Sequence, residues 1–243
     1  MRGDAGFPVR VRFTKRGKVR FISHRDVARA FERAFRIEQL PLAFTQGFSP
    51  RPKVSFGLAL SVGYESEAEY LDVELEHELH VDALPAALSA ALPEGIDVLA
   101  AAPLADRAPA LQESVTAVDY EVVVEHGDGG ALDVADVRRL VDAALAAETL
   151  QATRRRKGRD VVDDVRPLVR AVDVLGPDEH GVRLHLSLAT QPSSIRPGEV
   201  VAAFGDLTET RVLRTRQWIE RGGARLEPLE VDPRPRAIEV RAS

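Results

Sequence analysis

Hydrophobic periodicity along this chain switches from a repeat of two to a repeat of 3.6 and back in a fixed order, and that order leaves few folds open. Val9–Phe13 alternates apolar and basic residues, the pattern of a strand with one buried face. Lys15–Lys18 reads as a turn and Val19–Ile22 as a further extended piece. Ser23 stands three residues before Asp26, the spacing of a capping box, and predicts a helix running to about Glu38. Val27, Ala30, Phe31, Ala34 and Phe35 share one arc of that helix. Arg25, Arg29, Arg33 and Arg36 fall within about 80° of one another on the opposite side. Leu40–Phe44 and Lys53–Phe56 follow as short strands, Glu69–Glu76 as a strictly alternating strand, Val81–Leu92 as a helix and Ile96–Leu99 as a closing strand. The order is β-α-β-β-α-β.

The same order returns after residues 101–115, a stretch without periodicity that reads as a linker. Asp119–Glu125 is a strand and Asp133–Glu148 a helix. Leu150–Arg155 and Val161–Val174 are extended around the turn at Lys157-Gly158. Val182–Leu188 is a strand, Arg196–Phe204 a short helix with Pro197 in its first turn, and Val212–Ile219 a closing strand. The expectation is an α+β protein of tandem ferredoxin-like domains, antiparallel sheets with helices on one face, spanning residues 1–100 and 116–243. No cysteine occurs, which excludes disulfides, thiolate metal sites and a cysteine nucleophile and fits the cytoplasm. No apolar run is long enough for a membrane span or a signal peptide, so neither membrane nor export is expected.

The net charge of −5 conceals an asymmetry. Residues 1–60 hold thirteen Lys or Arg against four Asp or Glu, so the rest of the chain is acidic. A basic segment on an acidic protein predicts a localised anion-binding surface. Its centre is Phe44–Gly57, where Pro50 and Pro52 stiffen the chain on either side of Arg51. Gln46, Ser49, Arg51 and Lys53 are candidate phosphate ligands and Phe48 a candidate stacking platform for a base, although Phe44, Phe48 and Phe56 are equally suited to filling the core. Arg10, Arg12, Arg20, Arg25, Arg29, Arg33 and Arg36 complete the expected RNA surface. Arg154, Arg155, Arg156, Lys157 and Arg159 form a second basic tip. His24, where strand gives way to helix, is a candidate general base for metal-free RNA cleavage; a capping or surface imidazole is the plainer alternative. Arg183 and His185 read as an exposed sheet face. His77 and His80 lie among carboxylates without the framework of a metal site, and neither metal nor cofactor is expected. Nucleophile-elbow, phosphate-loop, dinucleotide and zinc-protease motifs are all absent from the sequence.

Phe13-Thr-Lys15, Val19–Asp26, Leu42–Gly57, Val62-Gly63 and Glu65–Asp72 together resemble the DUF2344 family of radical SAM-linked proteins, densely over about residues 8–100 and thinly beyond. The resemblance implies a domain that is fused behind a radical SAM enzyme or encoded apart from it, often near a ribonuclease E/G gene. The tandem layout is distantly similar to the endoribonucleases that process CRISPR repeat RNA, which place a histidine near the first helix, as His24 stands. Those enzymes carry a glycine-rich loop near the C-terminus, for which Gly222-Gly223 is a poor substitute. The leading expectation is an RNA-binding accessory protein for tRNA or rRNA, without catalysis of its own, acting beside a radical SAM modification enzyme. The alternatives are an adaptor docking a radical SAM or ribonuclease E/G partner, and a metal-independent endoribonuclease using His24.

Overall fold

A computed structural model of the chain describes residues 6–105, 108–156, 158–231 and 233. The chain is mixed α+β with a mostly antiparallel sheet, and divides into two compact units. The first comprises residues 1–60, 69–114 and 226–243, the second residues 61–68 and 115–225. The chain passes from the first unit to the second after Ser114, and the division is not contiguous. The segment 61–68 belongs with the second unit, and the chain returns to the first at Leu226. Among the described residues no helix is long and apolar enough to cross a membrane.

In the first unit the elements run β1 (Phe7–Lys15), α1 (His24–Ile37), β2 (Val54–Phe56), β3 (Glu65–Leu75, of which Glu69 onward lies here), α2 (Leu84–Ala91) and β4 (Val98–Pro103). The sheet order is β4-β1-β3-β2, fourth-first-third-second in chain order. The helix α1 begins where the sequence says. The Ser23 hydroxyl accepts from the Asp26 N–H, and the Ser23 N–H donates back to the Asp26 carboxylate, so two helix-end donors are satisfied together. Val27, Phe31, Ala34 and Phe35 are buried against the sheet. Phe13 meets Phe31 edge-on at 4.7 Å between ring centroids, and Phe56 extends the cluster from β2.

Four expectations are corrected here. Val19–Ile22 is not extended: Gly17–Phe21 is a 3-10 turn, entered through Gly17 at φ +64 and held by the Lys15 ammonium, which donates to the carbonyls of Arg20 and Ile22. Leu40–Phe44 is no strand, because Pro41 lacks the N–H a ladder needs, and only isolated bridges form, Leu42 to Leu75 and Phe44 to Pro52. The expected linker is partly structured, since β4 continues to Pro103 and a short helix, α3 (Leu111–Ser114), follows, with Leu104 and Leu111 buried. Finally, β1 is buried on both faces: Val9, Val11 and Phe13 enter the core, and Arg10 is only 1% exposed. A 3-10 turn at Pro228–Glu230 lies against β1 and covers its basic side, which no local periodicity foretells.

The second unit runs β5 (Ala117–His126), α4 (Val134–Ala146), β6 (Gln151–Arg156), β7 (Arg159–Asp164), β8 (Val169–Asp178), β9 (Gly181–Ala189), α5 (Pro197–Ala203), β10 (Leu207–Arg221) and β11 (Ala224–Leu226), the last at its boundary. Its sheet order is β10-β5-β9-β8, all antiparallel, while β6 and β7 pair only with each other among the described residues. The start of β3 adds a short parallel pairing, Glu65 and Ser66 beside Leu213 and Arg214. Asp133 caps α4, its carboxylate accepting from the Ala135 N–H at 2.7 Å.

Candidate nucleic-acid interface

The loop between α1 and β2 is a closed arm. The Thr45 N–H donates to the Arg51 carbonyl at 2.9 Å, the Arg51 N–H to the Thr45 hydroxyl at 3.0 Å, and the Lys53 N–H to the Ala43 carbonyl at 2.9 Å. These bonds tie the base of the arm and leave Gln46–Pro50 as its tip, turned at Gly47 with φ +133. Pro50 and Pro52 remove conformational freedom that ordering on a ligand would otherwise cost. Phe48 is fully exposed at 111%, so it contributes nothing to the core. Phe44 is half-exposed, and Phe56 alone of the three packs into the aromatic cluster. A bare aromatic ring at a stiff tip, beside the exposed Gln46, Ser49 and Arg51, is the surface chemistry of base stacking with phosphate contact.

On α1, Arg25, Arg29, Arg33 and Arg36 are all exposed, as the helical spacing requires. Arg29 makes a surface ion pair with Asp26 at 3.4 Å, a contact of low strength that a phosphate could replace. The Arg36 guanidinium donates through Nε to the Glu32 carbonyl. Arg20 lies over the Phe21 ring at 4.7 Å. Arg25, Arg33 and Arg51 have no carboxylate within ion-pair reach among the described residues.

Three expected cations are taken by carboxylates. Arg10 grips Asp72 with two parallel hydrogen bonds of 2.7 and 2.8 Å and donates to the Pro228 carbonyl. Arg12 pairs with Glu227 at 2.8 Å, and Lys53 with Glu74 at 2.8 Å. Arg10 is thus a structural residue. Arg12 and Lys53 are partly engaged. The alternation in Val9–Phe13 is real, but its polar face meets protein.

His24 is exposed and stands edge-on to Phe56, 5.0 Å between ring centres, above a pit of about 10 Å³ bordered by Lys15, Glu69 and Tyr70. That space holds about one water and no nucleotide.

In the second unit, the basic tip loses one member. Arg154 is buried, donating to the Ser194 carbonyl and lying within 3.5 Å of Asp163 and 3.4 Å of Glu199, and so anchors the β6–β7 hairpin. Arg155 and Arg159 are exposed. Lys157 and the Arg156 side chain lie outside the described residues.

The second sheet also holds a largely buried polar cluster that the sequence did not reveal. Asp119 of β5 accepts from Ser187 at 2.6 Å, from the Trp218 indole at 2.7 Å and from Arg225 at 2.8 Å, and Arg225 lies over the Trp218 ring at 4.4 Å. His185 sits between Asp119, 3.8 Å from Nε2, and Asp173, 3.1 Å from Nδ1. Burial pushes the Asp119 carboxyl up, but hydrogen bonds from His185, Ser187 and Trp218 and the charge of Arg225 outweigh it and hold the pKa at about 2. Asp119 raises the His185 pKa, burial opposes, and Asp173 adds to the rise. The Ser187 hydroxyl donates to Asp119 and not to the imidazole, so the trio is not a nucleophile with its base. The sequence places His185 only on an exposed sheet face. Its partners come from β5, β8, β10 and β11, distant in sequence and without a motif.

This geometry fixes the sign of a pH effect. A histidine whose folded pKa lies above its unfolded value of about 6.5 stabilises the fold below that value and loses the contribution as pH rises through the folded one. The melting temperature is therefore expected to fall as pH rises above that unfolded value, and His185→Gln to flatten that fall. Equal slopes for the two proteins would show that the imidazole carries no linkage.

The family model described as "Uncharacterized protein conserved in bacteria (DUF2344)" matches residues 9–197. No curated protein matches the chain. Among solved structures, a chain of the crystal structure of a Cbf5-Nop10-Gar1 complex matches with a TM-score of 0.51 and 10% identity, covering 89% of this chain and 54% of that one. A chain of the archaeal box H/ACA sRNP Nop10-Cbf5 complex matches with 0.47 and 10%, over 88% and 48%. A chain of an H/ACA RNP bound to a substrate RNA containing 2'-deoxyuridine matches with 0.45 and 11%, over 89% and 53%. The chain spans about half the length of the chains it matches, and the first likeness is one of fold alone.

Proposed function

The chain belongs to the DUF2344 family, and on its surface chemistry we propose that it is an RNA-binding accessory protein, without catalysis of its own, serving a radical SAM enzyme that modifies tRNA or rRNA. The observation that carries the RNA reading is Phe48, a fully exposed ring at the tip of a hydrogen-bonded, proline-stiffened arm, beside Arg51, which has no ion-pair partner among the described residues. An exposed phenylalanine gains nothing for the fold, and nucleobases are among the ligands that reward it. The α1 arginines belong to the same unit and supply further phosphate contacts. The strand order of both units, fourth-first-third-second, supports reading them as tandem ferredoxin-like domains. The radical SAM partner comes from the family resemblance.

Salt dependence tests the reading. Three phosphate contacts on a single strand, one each for Arg25, Arg33 and Arg51, cost about 20-fold in affinity between 50 and 200 mM salt. Fluorescence anisotropy with a labelled oligoribonucleotide measures it. A flat response discards the RNA surface. Retention of a partner protein after nuclease treatment, lost with Arg51→Glu, would assign the same face to protein docking.

A further inference from the structure

The polar face of the first unit's sheet opens into a cleft of about 410 Å³, within the roughly 300–1,000 Å³ that small-ligand sites occupy. The register of β2 on β3 sets its floor. Val54 faces Val73 and Phe56 faces Leu71, towards the core, which leaves Ser55 beside Asp72 and Lys53 beside Glu74 on the other side. Pro8, Leu104 and Ala108 contribute apolar wall. Gly6 closes one end: a Cβ there would stand 3.1 Å from the Glu74 carboxylate, so glycine leaves that group room.

The floor reads as a donor and acceptor pattern. Arg10 occupies both oxygens of Asp72 and neutralises it. Lys53 and Glu74 lie 2.8 Å apart, and the side chain of each is about one-third exposed. The second Glu74 oxygen and the Ser55 hydroxyl accept or donate no hydrogen bond among the described residues. A ligand edge here must therefore offer an acceptor to the ammonium and, adjacent to it, donors to the carboxylate. Guanine does so along its Watson–Crick edge, with O6 beside N1–H and the amino group. Adenine and cytosine set a single amino donor beside their ring-nitrogen acceptor, and uracil has one donor between two acceptors, so guanine alone presents two donors to the carboxylate.

We propose that this cleft receives a splayed-out guanine of bound RNA, its Watson–Crick edge held between Lys53 and Glu74 and its rings against the apolar wall. The proposal rests on the RNA reading above and names the base that the reading leaves open. It also explains why Lys53, at the root of the Phe48 arm, is pinned in place: the arm would guide the strand while the cleft reads one base.

The four nucleoside 5'-monophosphates, titrated by calorimetry into the full chain, are the probes. GMP is expected to bind saturably and at least tenfold more tightly than AMP, CMP or UMP. Glu74→Ala removes the acceptor at a surface ion pair, and Ala108→Trp fills the cleft from its wall. Both are expected to abolish the GMP preference while the melting temperature holds and a guanine-free oligoribonucleotide is still bound. No preference for GMP, with the guanine-free strand still bound by the wild type, overturns the cleft proposal and leaves the RNA reading intact. A wild-type chain that binds no RNA removes both.

Discussion

Replacing Phe48 and Arg51 together, as Phe48→Ala/Arg51→Glu, is expected to weaken RNA binding by about 30-fold or more and leave the melting temperature unchanged. Loss of one base–aromatic stack costs about 1–3 kcal/mol, or roughly 5- to 150-fold by itself. Reversing the charge at the exposed Arg51 adds to that. Stability is indifferent because Phe48 is fully exposed and the Arg51 side chain has no partner among the described residues; the arm is closed by backbone bonds of Thr45, Arg51 and Lys53 that survive both changes. The single variants separate the two contributions. Phe48→Ala keeps the salt slope and lowers affinity at every salt concentration, whereas Arg51→Ala lowers the slope by about 0.7. Phe48→Trp restores the stack. Wild-type affinity in Phe48→Ala would leave the exposed ring without a role and sink the stacking platform.

The second large effect concerns stability. Asp72→Ala is expected to cost about 3–5 kcal/mol in a urea melt, because it strands the Arg10 guanidinium, whose side chain is 2% exposed, without its carboxylate. The Pro228 carbonyl then satisfies one donor and leaves the charge uncompensated. Replacing the whole pair by Arg10→Met/Asp72→Leu is expected to recover most of the loss, since desolvating two charges offsets much of what their attraction returns. The double variant also asks whether Arg10 touches RNA: if the residue is structural, the refolded protein binds RNA as the wild type does. A loss under about 1 kcal/mol for Asp72→Ala would mean that water reaches the guanidinium and that β1 is not sealed.

The contrast between Arg10 and Arg51 shows where sequence reading reached its limit. Both stand in basic, alternating surroundings, and both carry the same charge. Arg51 lies between two prolines in a loop tied by its own backbone, so local chemistry settles its exposure. Arg10 lies on a strand whose second face is covered by residues more than two hundred positions away, and no local pattern encodes that cover. The helix α1 shows the same division favourably, because its cap, apolar arc and arginine stripe depend on residues three and four apart. Asp119 and His185 show it unfavourably: their cluster joins four strands and β11, and local alternation put His185 merely on an exposed face.

From the sequence alone came the β-α-β-β-α-β order of the first half, the start of α1 and the stiff arm around Arg51, because each is set by contacts within a few residues. The tertiary structure decided which cations meet solvent and which meet carboxylates. It also decided that 61–68 belongs with the second unit, that Leu226 returns to the first, and that β2 and β3 align to floor a cleft. Those outcomes depend on long-range pairing, where the free energy of burying a charge or sealing a sheet face is fixed by whatever segment arrives there, and periodicity carries no record of that segment.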